Sequence, residues 1–92
     1  MSKLLIMEPK DNVAVSTSVV NKGSSLNYME GSAQKELTAS TDVPIYHKIA
    51  LREIPQGCLV YKYGHIIGEA TENIPAGAHV HIHNLKSSDK KN

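Results

Sequence analysis

Three short segments of this chain share one pattern, in which an apolar residue precedes a turn and a strand follows it. The pattern is complete in residues 54–57 (Ile-Pro-Gln-Gly) and 74–77 (Ile-Pro-Ala-Gly), and residues 20–23 (Val-Asn-Lys-Gly) are a weaker copy. Proline presets φ at the second position of a turn, and glycine suits the fourth position of a type I turn. One such segment is ordinary hairpin chemistry. Three of them in 92 residues predict similar turns that feed successive strands of a compact β fold.

The distribution of β-branched residues also favours short strands over helices. The predicted strands are residues 4–7, 13–20, 59–63, 66–70 and 80–83, together with a hairpin formed by 26–29 and 36–38. Only residues 47–53 tolerate a helix, and that segment is marginal in length. The chain is therefore predicted to be all-β with at most one short helix.

Composition limits both the core and the class of partner. The chain has no Phe and no Trp, so the core must be small and built from Val, Ile, Leu and Ala, which is compatible with a need for a partner surface. A net charge of +1 argues against nucleic-acid binding, which is typically strongly basic. Cys58 stands alone and cannot form an internal disulfide, as is typical of a reducing cytoplasm. The apolar run at 4–7 is too short for a signal peptide or a membrane span. We therefore expect a cytoplasmic chain that binds neither nucleic acid nor membrane.

Three alternating histidines are the strongest chemical signal. In an extended strand His79, His81 and His83 would share one face, with Val80 and Ile82 on the other. Imidazoles can hold a metal, move a proton or bind an anion. A histidine pair two positions apart can reach one metal ion, and a third ligand could be another histidine, a carboxylate, the substrate or another subunit. A polar strand face or a hydrogen-bonded network is the alternative interpretation.

A second group of candidates combines lysines with glycines. Gly64 and Gly68 bracket a tight strand-turn-strand and could permit a close backbone approach to a ligand. Lys62 beside them could bind an anion, or could simply be a solvated lysine of an edge strand. His47 and Lys48 could serve as an acid/base and a carboxylate anchor at the mouth of a loop.

Four motifs together resemble a known family. They are residues 11–15 (Asp-Asn-Val-Ala-Val), 47–51 (His-Lys-Ile-Ala-Leu), 62–68 (Lys-Tyr-Gly-His-Ile-Ile-Gly) and 80–84 (Val-His-Ile-His-Asn). In this order and spacing they resemble the N-terminal SAF-type domain of the altronate and galactarate dehydratases, and the small subunit of sulfolactate sulfo-lyase is similar. The resemblance covers about residues 4–85. It implies a small β-clip fold over residues 1–85, followed by a polar C-terminal tail at 86–92.

The resemblance also implies a function. The chain would be the small subunit of a sugar-acid dehydratase, a hydro-lyase that converts altronate or a related aldonate or aldarate into a 2-keto-3-deoxy acid. It would work with a separate large subunit and a divalent metal, Fe(II) or Mn(II), and homo-oligomer formation stays open. The alternatives are the small subunit of a sulfolactate sulfo-lyase, a non-catalytic module that binds a sugar acid or a metal, and a structural interaction domain.

Functional residues carry over from the family position by position. Catalytic roles fall to His47, Lys48 and Lys62, substrate contacts to Tyr63, Gly64, Gly68 and Asn84, and metal ligation to His81 and His83. In these roles Lys48 or Lys62 would anchor the substrate carboxylate and His47 would exchange a proton. Asn84 could equally cap a turn on local grounds. His65 and His79 fall at positions that vary in the family and rank lower, and Tyr46 stands where the family commonly has glycine.

Overall fold

The protein is an all-β domain, as the sequence predicts. A computed structural model describes residues 2–5, 11–30 and 32–87. Its strands are β1 (Ser2–Leu5), β2 (Val13–Ser16), β3 (Ser25–Glu30), β4 (Ala33–Thr38), β5 (Lys48–Ala50), β6 (Leu59–Lys62), β7 (His65–Ala70), β8 (His79–Val80) and β9 (Leu85–Lys86). They form a six-stranded sheet in the order β4-β3-β1-β2-β5-β8 and a three-stranded sheet in the order β6-β7-β9. Strands β1 and β3 are parallel. Within these residue ranges no helix is long and apolar enough to cross a membrane.

Most predicted strands are present, with shifted ends. The hairpin of β3 and β4 and the strands β6 and β7 are confirmed. The predicted strand 13–20 ends at Ser16, and the helix-tolerant segment 47–53 contains strand β5 instead of a helix. Residues 6 and 7 of the first predicted strand lie outside the described residues. Strand β9 pairs with β7 and extends across the predicted domain boundary at residue 85, whereas residues 88–92 of the tail are not described.

Within the described part of the chain the repeated turn occurs four times, once more than the sequence predicts. In each copy the N–H of the fourth residue donates to the carbonyl of the first at 3.0–3.1 Å: Ser24 to Asn21, His47 to Pro44, Cys58 to Pro55 and Ala78 to Pro75. The third residue has a positive φ in every copy: Gly23 at 90°, Tyr46 at 67°, Gly57 at 88° and Gly77 at 84°. Proline is thus the first residue of three of these turns, and glycine is the third residue of three. The predicted type I turn with glycine at its fourth position is therefore wrong. A positive φ at the third position is typical of a type II turn.

These turns form the ends of two hydrophobic cores. The residue before each turn is buried, and the four residues pair as Val20–Val43 and Ile54–Ile74. The first core contains Ala14, Val20, Leu26, Leu37, Ala39, Val43, Ile49 and Leu51. The second core contains Val13, Ala50, Ile54, Val60, Ala70, Ile74, Ala78 and Val80. Each core therefore contains two residues that precede turns and that are bridged to each other.

Strands β2 and β5 form the wall between the two cores. On β2, Val13 faces the second core and Ala14 the first, and on β5 Ile49 faces the first core and Ala50 the second. Because both faces of these strands are buried, their sequences are nearly continuous apolar runs without a polar face. Burial of Ile49 and Ala50 in the two cores holds β5 in place. Because β5 begins at Lys48, the position of this predicted site residue is set by the wall.

Candidate functional site

Four histidines and two lysines gather at the ends of strands β5, β6 and β8. The ring centroids of His47 and His81 lie 4.5 Å apart in a stacked arrangement, and those of His47 and His79 lie 5.0 Å apart. His79 also approaches His83, at 5.2 Å between centroids. We call this group the His–Lys cluster; its members are His47, Lys48, Lys62, His79, His81 and His83. Ring contacts thus join His47 and both predicted metal ligands to His79. Lys48 lies near enough for its charge to affect His79 and His81, and Lys62 near enough to affect Lys48.

His79 lies at the centre of the cluster. Its Nε2 is 2.8 Å from Nδ1 of His47, so one of these nitrogens donates a hydrogen bond to the other. Its backbone N–H donates to Oγ1 of Thr41 at 2.9 Å, which fixes the start of β8. By its family position His79 is predicted to matter less than His81 and His83, because that position varies in the family. The strand face that it shares with His81 in the sequence pattern is the signal that points to its central place.

The predicted strand 80–83 is wrong beyond Val80. Strand β8 ends there, and the backbone N–H of Asn84 donates to the carbonyl of His81 at 3.0 Å, which closes a turn. Ile82 is consequently 84% exposed, not buried on the opposite face of a strand. The histidines still meet, because the turn folds His81 and His83 back towards His79.

Asn84 provides the cap of this turn. Its side-chain oxygen accepts a hydrogen bond from the backbone N–H of His81 at 3.0 Å, and its amide nitrogen donates to the carbonyl of His79 at 2.9 Å. The residue is buried. Both bonds hold the backbone that carries the histidines, so Asn84 has a structural role here, and a contact with substrate stays a prediction.

Lys62 is positioned by a buried carboxylate. Strands β6 and β7 are joined by the two-residue turn Tyr63-Gly64, with φ of 55° and 79°, as in a type I′ hairpin. The carboxylate of buried Asp11 accepts the N–H of Tyr63 at 2.9 Å and that of Gly64 at 2.8 Å. The ammonium group of Lys62 lies 5.0 Å from the centroid of the Tyr63 ring, within the range of a cation–π contact. Because Asp11 fixes the turn, it sets the direction from which Lys62 enters the cluster.

Asn12 attaches the same hairpin to the six-stranded sheet. Its side-chain amide donates to the carbonyl of Leu59 at 3.0 Å, and its oxygen accepts the N–H of Tyr61 at 2.8 Å. These bonds lie next to the register shift between Val60 and Tyr61. Sequence reasoning noticed residues 11 and 12 only as part of a family motif. Their positioning role depends on contacts about 50 positions away along the chain, which a local pattern does not reveal.

Two other candidates lie apart from the histidine rings. A Cβ on Gly68 would collide with the carbonyl of Lys86 and the side chain of Leu85. Strand β9 therefore fills the space beside Gly68 and gives this glycine a packing role, and its predicted contact with a substrate stays a prediction. His65 is exposed at the first position of β7.

Burial and neighbouring charges favour the neutral forms of His79 and His81. Burial, followed by the charges of His47, His83, His81 and Lys48, lowers the pKa of His79 to about 4. Desolvation and then the charges of His47, Lys48 and His83 lower the pKa of His81. Burial and the neighbouring Lys62 lower the pKa of Lys48. The neighbours that shift these pKa values are all basic, so each additional positive charge in the cluster is disfavoured.

We expect this arrangement to make stability depend on pH. Between pH 6.5 and about 4 the unfolded chain protonates His79 while the native chain does not. The free energy of unfolding should therefore fall as the pH drops through this window. Because His79 is only partly buried, solvent screening reduces the effect to about 1 kcal/mol. Urea unfolding at pH 7 and pH 4.5 should show a smaller pH dependence for His79→Gln than for the wild type. Equal pH dependence in the two proteins would contradict the assigned pKa.

The described residues of this chain do not form a complete metal centre on their own. Among the described His, Cys, Asp and Glu side chains, no group of three is arranged to hold a metal ion. The imidazoles stack against one another instead of converging on one point. Fe(II) and Mn(II) sites commonly combine imidazole with carboxylate ligands. His81 and His83 could thus contribute at most part of a ligand set, and we derive no catalytic step through a metal.

A polar cleft opens beside the cluster. It has a volume of about 280 Å³, and its lining includes the hydroxyl groups of Ser40 and Thr41, the carboxylates of Asp42 and Glu72, and the imidazoles of His79 and His83. These groups can donate and accept hydrogen bonds with a small, hydroxylated ligand. Imidazoles can also exchange a proton with such a ligand.

The chain is similar in sequence to one protein family and to several characterised lyases. Residues 2–88 match the family described as the altronate/galactarate dehydratase SAF domain. The chain is 32% identical over 88 residues to altronate dehydratase from Bacillus subtilis (strain 168), which covers 96% of this chain and 17% of that protein. It is 38% identical over 78 residues to altronate dehydratase from Escherichia coli (strain K12), covering 85% of this chain and 15% of that protein. It is also similar to (2R)-sulfolactate sulfo-lyase subunit alpha from Paracoccus pantotrophus, at 45% identity over 51 residues, covering 55% of this chain and 76% of that subunit. The chain thus spans only a small part of the length of the altronate dehydratases that it matches.

Proposed function

The chain belongs to the altronate/galactarate dehydratase SAF domain family, and we propose that it acts as the small subunit of a sugar-acid dehydratase. The substrate would be altronate or a related aldonate or aldarate, and the product a 2-keto-3-deoxy acid. The observation that carries this proposal is the His–Lys cluster, in which two lysines accompany four histidines, two of which, His79 and His83, line a polar cleft. Curated relatives that are named as lyases support the class of reaction.

The reaction needs a cation that binds the substrate carboxylate and a group that exchanges a proton, and we assign these roles to the lysines and to His47. Dehydration removes a proton beside a carboxylate and expels the neighbouring hydroxyl group. The lysines would bind the substrate carboxylate: Lys48 enters from β5 and Lys62 from the end of β6. Neutralising the carboxylate stabilises the additional negative charge that develops when the adjacent carbon loses its proton.

His47 is the group we propose for proton exchange. Its Nδ1 is engaged by Nε2 of His79 at 2.8 Å, which leaves Nε2 of His47 to face the substrate. When Nδ1–H of His47 donates to His79, Nε2 of His47 carries a lone pair and can take a proton. A hydrogen bond at one imidazole nitrogen sets the tautomer and orientation of the ring. His79 would thus be a positioning residue for His47.

The remaining roles rest on the proposed complex with a large subunit. Tyr63 and Gly64 lie next to Lys62 and would contact substrate there. A divalent metal, Fe(II) or Mn(II), would take its carboxylate ligands from the large subunit, with His81 and His83 as partial ligands from this chain. When bound, the metal would bind oxygen atoms of the substrate and spread their negative charge. A cytoplasmic location fits this assignment and stays a prediction.

A sulfolactate sulfo-lyase is the second candidate. The observation in its favour is size: this chain matches 76% of the length of the related subunit alpha, which is therefore a short chain of similar extent. The reaction would differ in its leaving group, which is a sulfonate sulfur in place of a hydroxyl. The same two lysines would bind the carboxylate of either substrate.

The proposal is tested by adding the chain back to a purified large subunit. That subunit is a chain similar to the part of the altronate dehydratases that this chain does not span. Each chain alone and the mixture are assayed without oxygen, with Fe(II) or Mn(II), on altronate, galactarate and (2R)-sulfolactate. We expect 2-keto-3-deoxy acid from the mixture and little from either chain alone. Sulfite release in place of keto acid would select the sulfo-lyase. If the mixture binds these acids but turns none of them over, the chain is a non-catalytic binding module.

A further inference from the structure

An apolar patch lies beside the His–Lys cluster. Val19 is 64% exposed, Ile45 41% and Tyr46 71%. The backbone bridge between Val20 and Val43, with N–H to carbonyl distances of 2.8 and 2.9 Å in the two directions, holds the segments carrying these side chains side by side. Val19 and Ile45 line a groove of about 480 Å³ whose lining is mostly apolar and also includes Asp42 and His79. Tyr46 directly follows Ile45 in the chain. We call Val19, Ile45 and Tyr46 the apolar patch.

Tyr46 occupies a backbone position that disfavours it. The three equivalent turns have glycine at their third position, whereas this turn has tyrosine with a φ of 67°. A left-handed conformation costs free energy for a residue with a Cβ atom. The tyrosine side chain recovers little of this cost by burial within the chain, since most of its surface is exposed. Strain of this kind is typical of positions with a functional role, and tyrosine is enriched at protein interfaces.

The patch is continuous with the proposed site. Tyr46 directly precedes His47, and His79 lines both the apolar groove and the polar cleft. A protein seated on the patch would therefore touch the side of the His–Lys cluster.

We propose that the apolar patch is the surface through which this chain docks on the large subunit of the lyase, with an apolar side chain of that subunit seated in the groove. The proposal rests on the proposed function. Two observations select this occupant: the chain spans only 17% and 15% of the altronate dehydratases that it matches, and the related sulfo-lyase chain is named as a subunit. The large subunit therefore both covers the apolar surface and completes the site.

The test uses a variant that relieves strain while removing the contact. Tyr46→Gly replaces the strained tyrosine with the residue that the other three turns carry at this position. We expect a raised melting temperature, because glycine adopts a positive φ without a steric penalty. We also expect the dissociation constant for the purified large subunit, measured by titration calorimetry, to rise at least about tenfold. Val19→Ser should weaken binding as well. Met29→Ser is the matched control, because Met29 is 52% exposed on the β3–β4 hairpin and outside the groove, and it should bind as the wild type does.

The outcomes separate this proposal from the proposed function. An active wild-type complex that Tyr46→Gly and Val19→Ser leave equally tight would overturn the docking surface and leave the lyase assignment standing. Weakened binding by both variants in a complex without turnover would support the docking surface and count against the lyase. A wild-type chain that does not bind the large subunit, or a patch that joins two copies of this chain in sedimentation experiments, would overturn the docking proposal.

Discussion

Gly77→Ala should destabilise the domain by about 2–4 kcal/mol, through a collision and a backbone penalty combined. A Cβ at this position would collide with the carbonyl oxygen of Thr38 and would lie 3.1 Å from the backbone nitrogen of Ser40. Both obstacles are backbone atoms, and the adjacent hydrogen bond from Ser40 N to the carbonyl of Gly77 holds the segments together at 2.9 Å. The φ of 84° adds a cost for any residue with a side chain. Urea unfolding monitored by circular dichroism measures the loss.

Gly57→Ala provides the matched control for this prediction. Gly57 occupies the same position of an equivalent turn, with a φ of 88°, but a Cβ there would meet nothing within 4 Å. It should therefore cost only the backbone penalty, about 1 kcal/mol. The difference between the two variants isolates the close approach of residues 38–40 to the turn. Equal losses would contradict the packing described for Gly77.

Asp11→Ala should destabilise the domain by about 3 kcal/mol, because hydrogen bonds to a charged group contribute about 1.5–3 kcal/mol each. The substitution removes the buried acceptor of the N–H groups of Tyr63 and Gly64 and leaves both donors without their carboxylate. It should also release the turn that directs Lys62, so binding of an anionic ligand should weaken. Urea unfolding gives the first effect, and titration of the variant with galactarate gives the second.

Asp42→Ala is the appropriate comparison for Asp11→Ala. Asp42 is exposed, and its carboxylate accepts one backbone hydrogen bond, from Lys22 at 2.7 Å. Its removal should cost under about 1 kcal/mol, because water can replace an exposed partner. If Asp11→Ala proved no more harmful than Asp42→Ala, the buried carboxylate would not be the support of the hairpin.

Local patterns in the sequence predicted much of the fold. The Pro-x-Gly segments identified turns because proline and glycine restrict φ in ways that depend on few neighbours. The same reasoning missed the turn at residues 44–47, where tyrosine takes the place of glycine and tertiary packing overrides the local preference. It also placed glycine at the fourth position of the turn, since sequence alone does not show which carbonyl accepts the hydrogen bond.

The sequence predicts which histidines lie together at the candidate site, but it does not predict how the backbone arranges them. Alternation identified His79, His81 and His83 as neighbours, but the Asn84 cap ends the strand at Val80 and turns the backbone. The contact between His47 and His79 joins residues 32 positions apart, and the bonds from Asp11 to the hairpin turn span still more of the chain. Contacts of that separation follow from sheet pairing, which short sequence windows do not contain.

If the His–Lys cluster performs chemistry in a lyase complex, the turnover number of the complex should depend on His47, which the variant His47→Gln measures. The reconstituted complex is saturated with substrate, and His65→Gln, an exposed histidine outside the ring contacts of the cluster, serves as the control. We predict that kcat falls by about 10²–10⁴-fold for His47→Gln, the usual contribution of a general acid or base, and that His65→Gln turns over as the wild type does. A His47→Gln complex with an unchanged kcat would contradict the account.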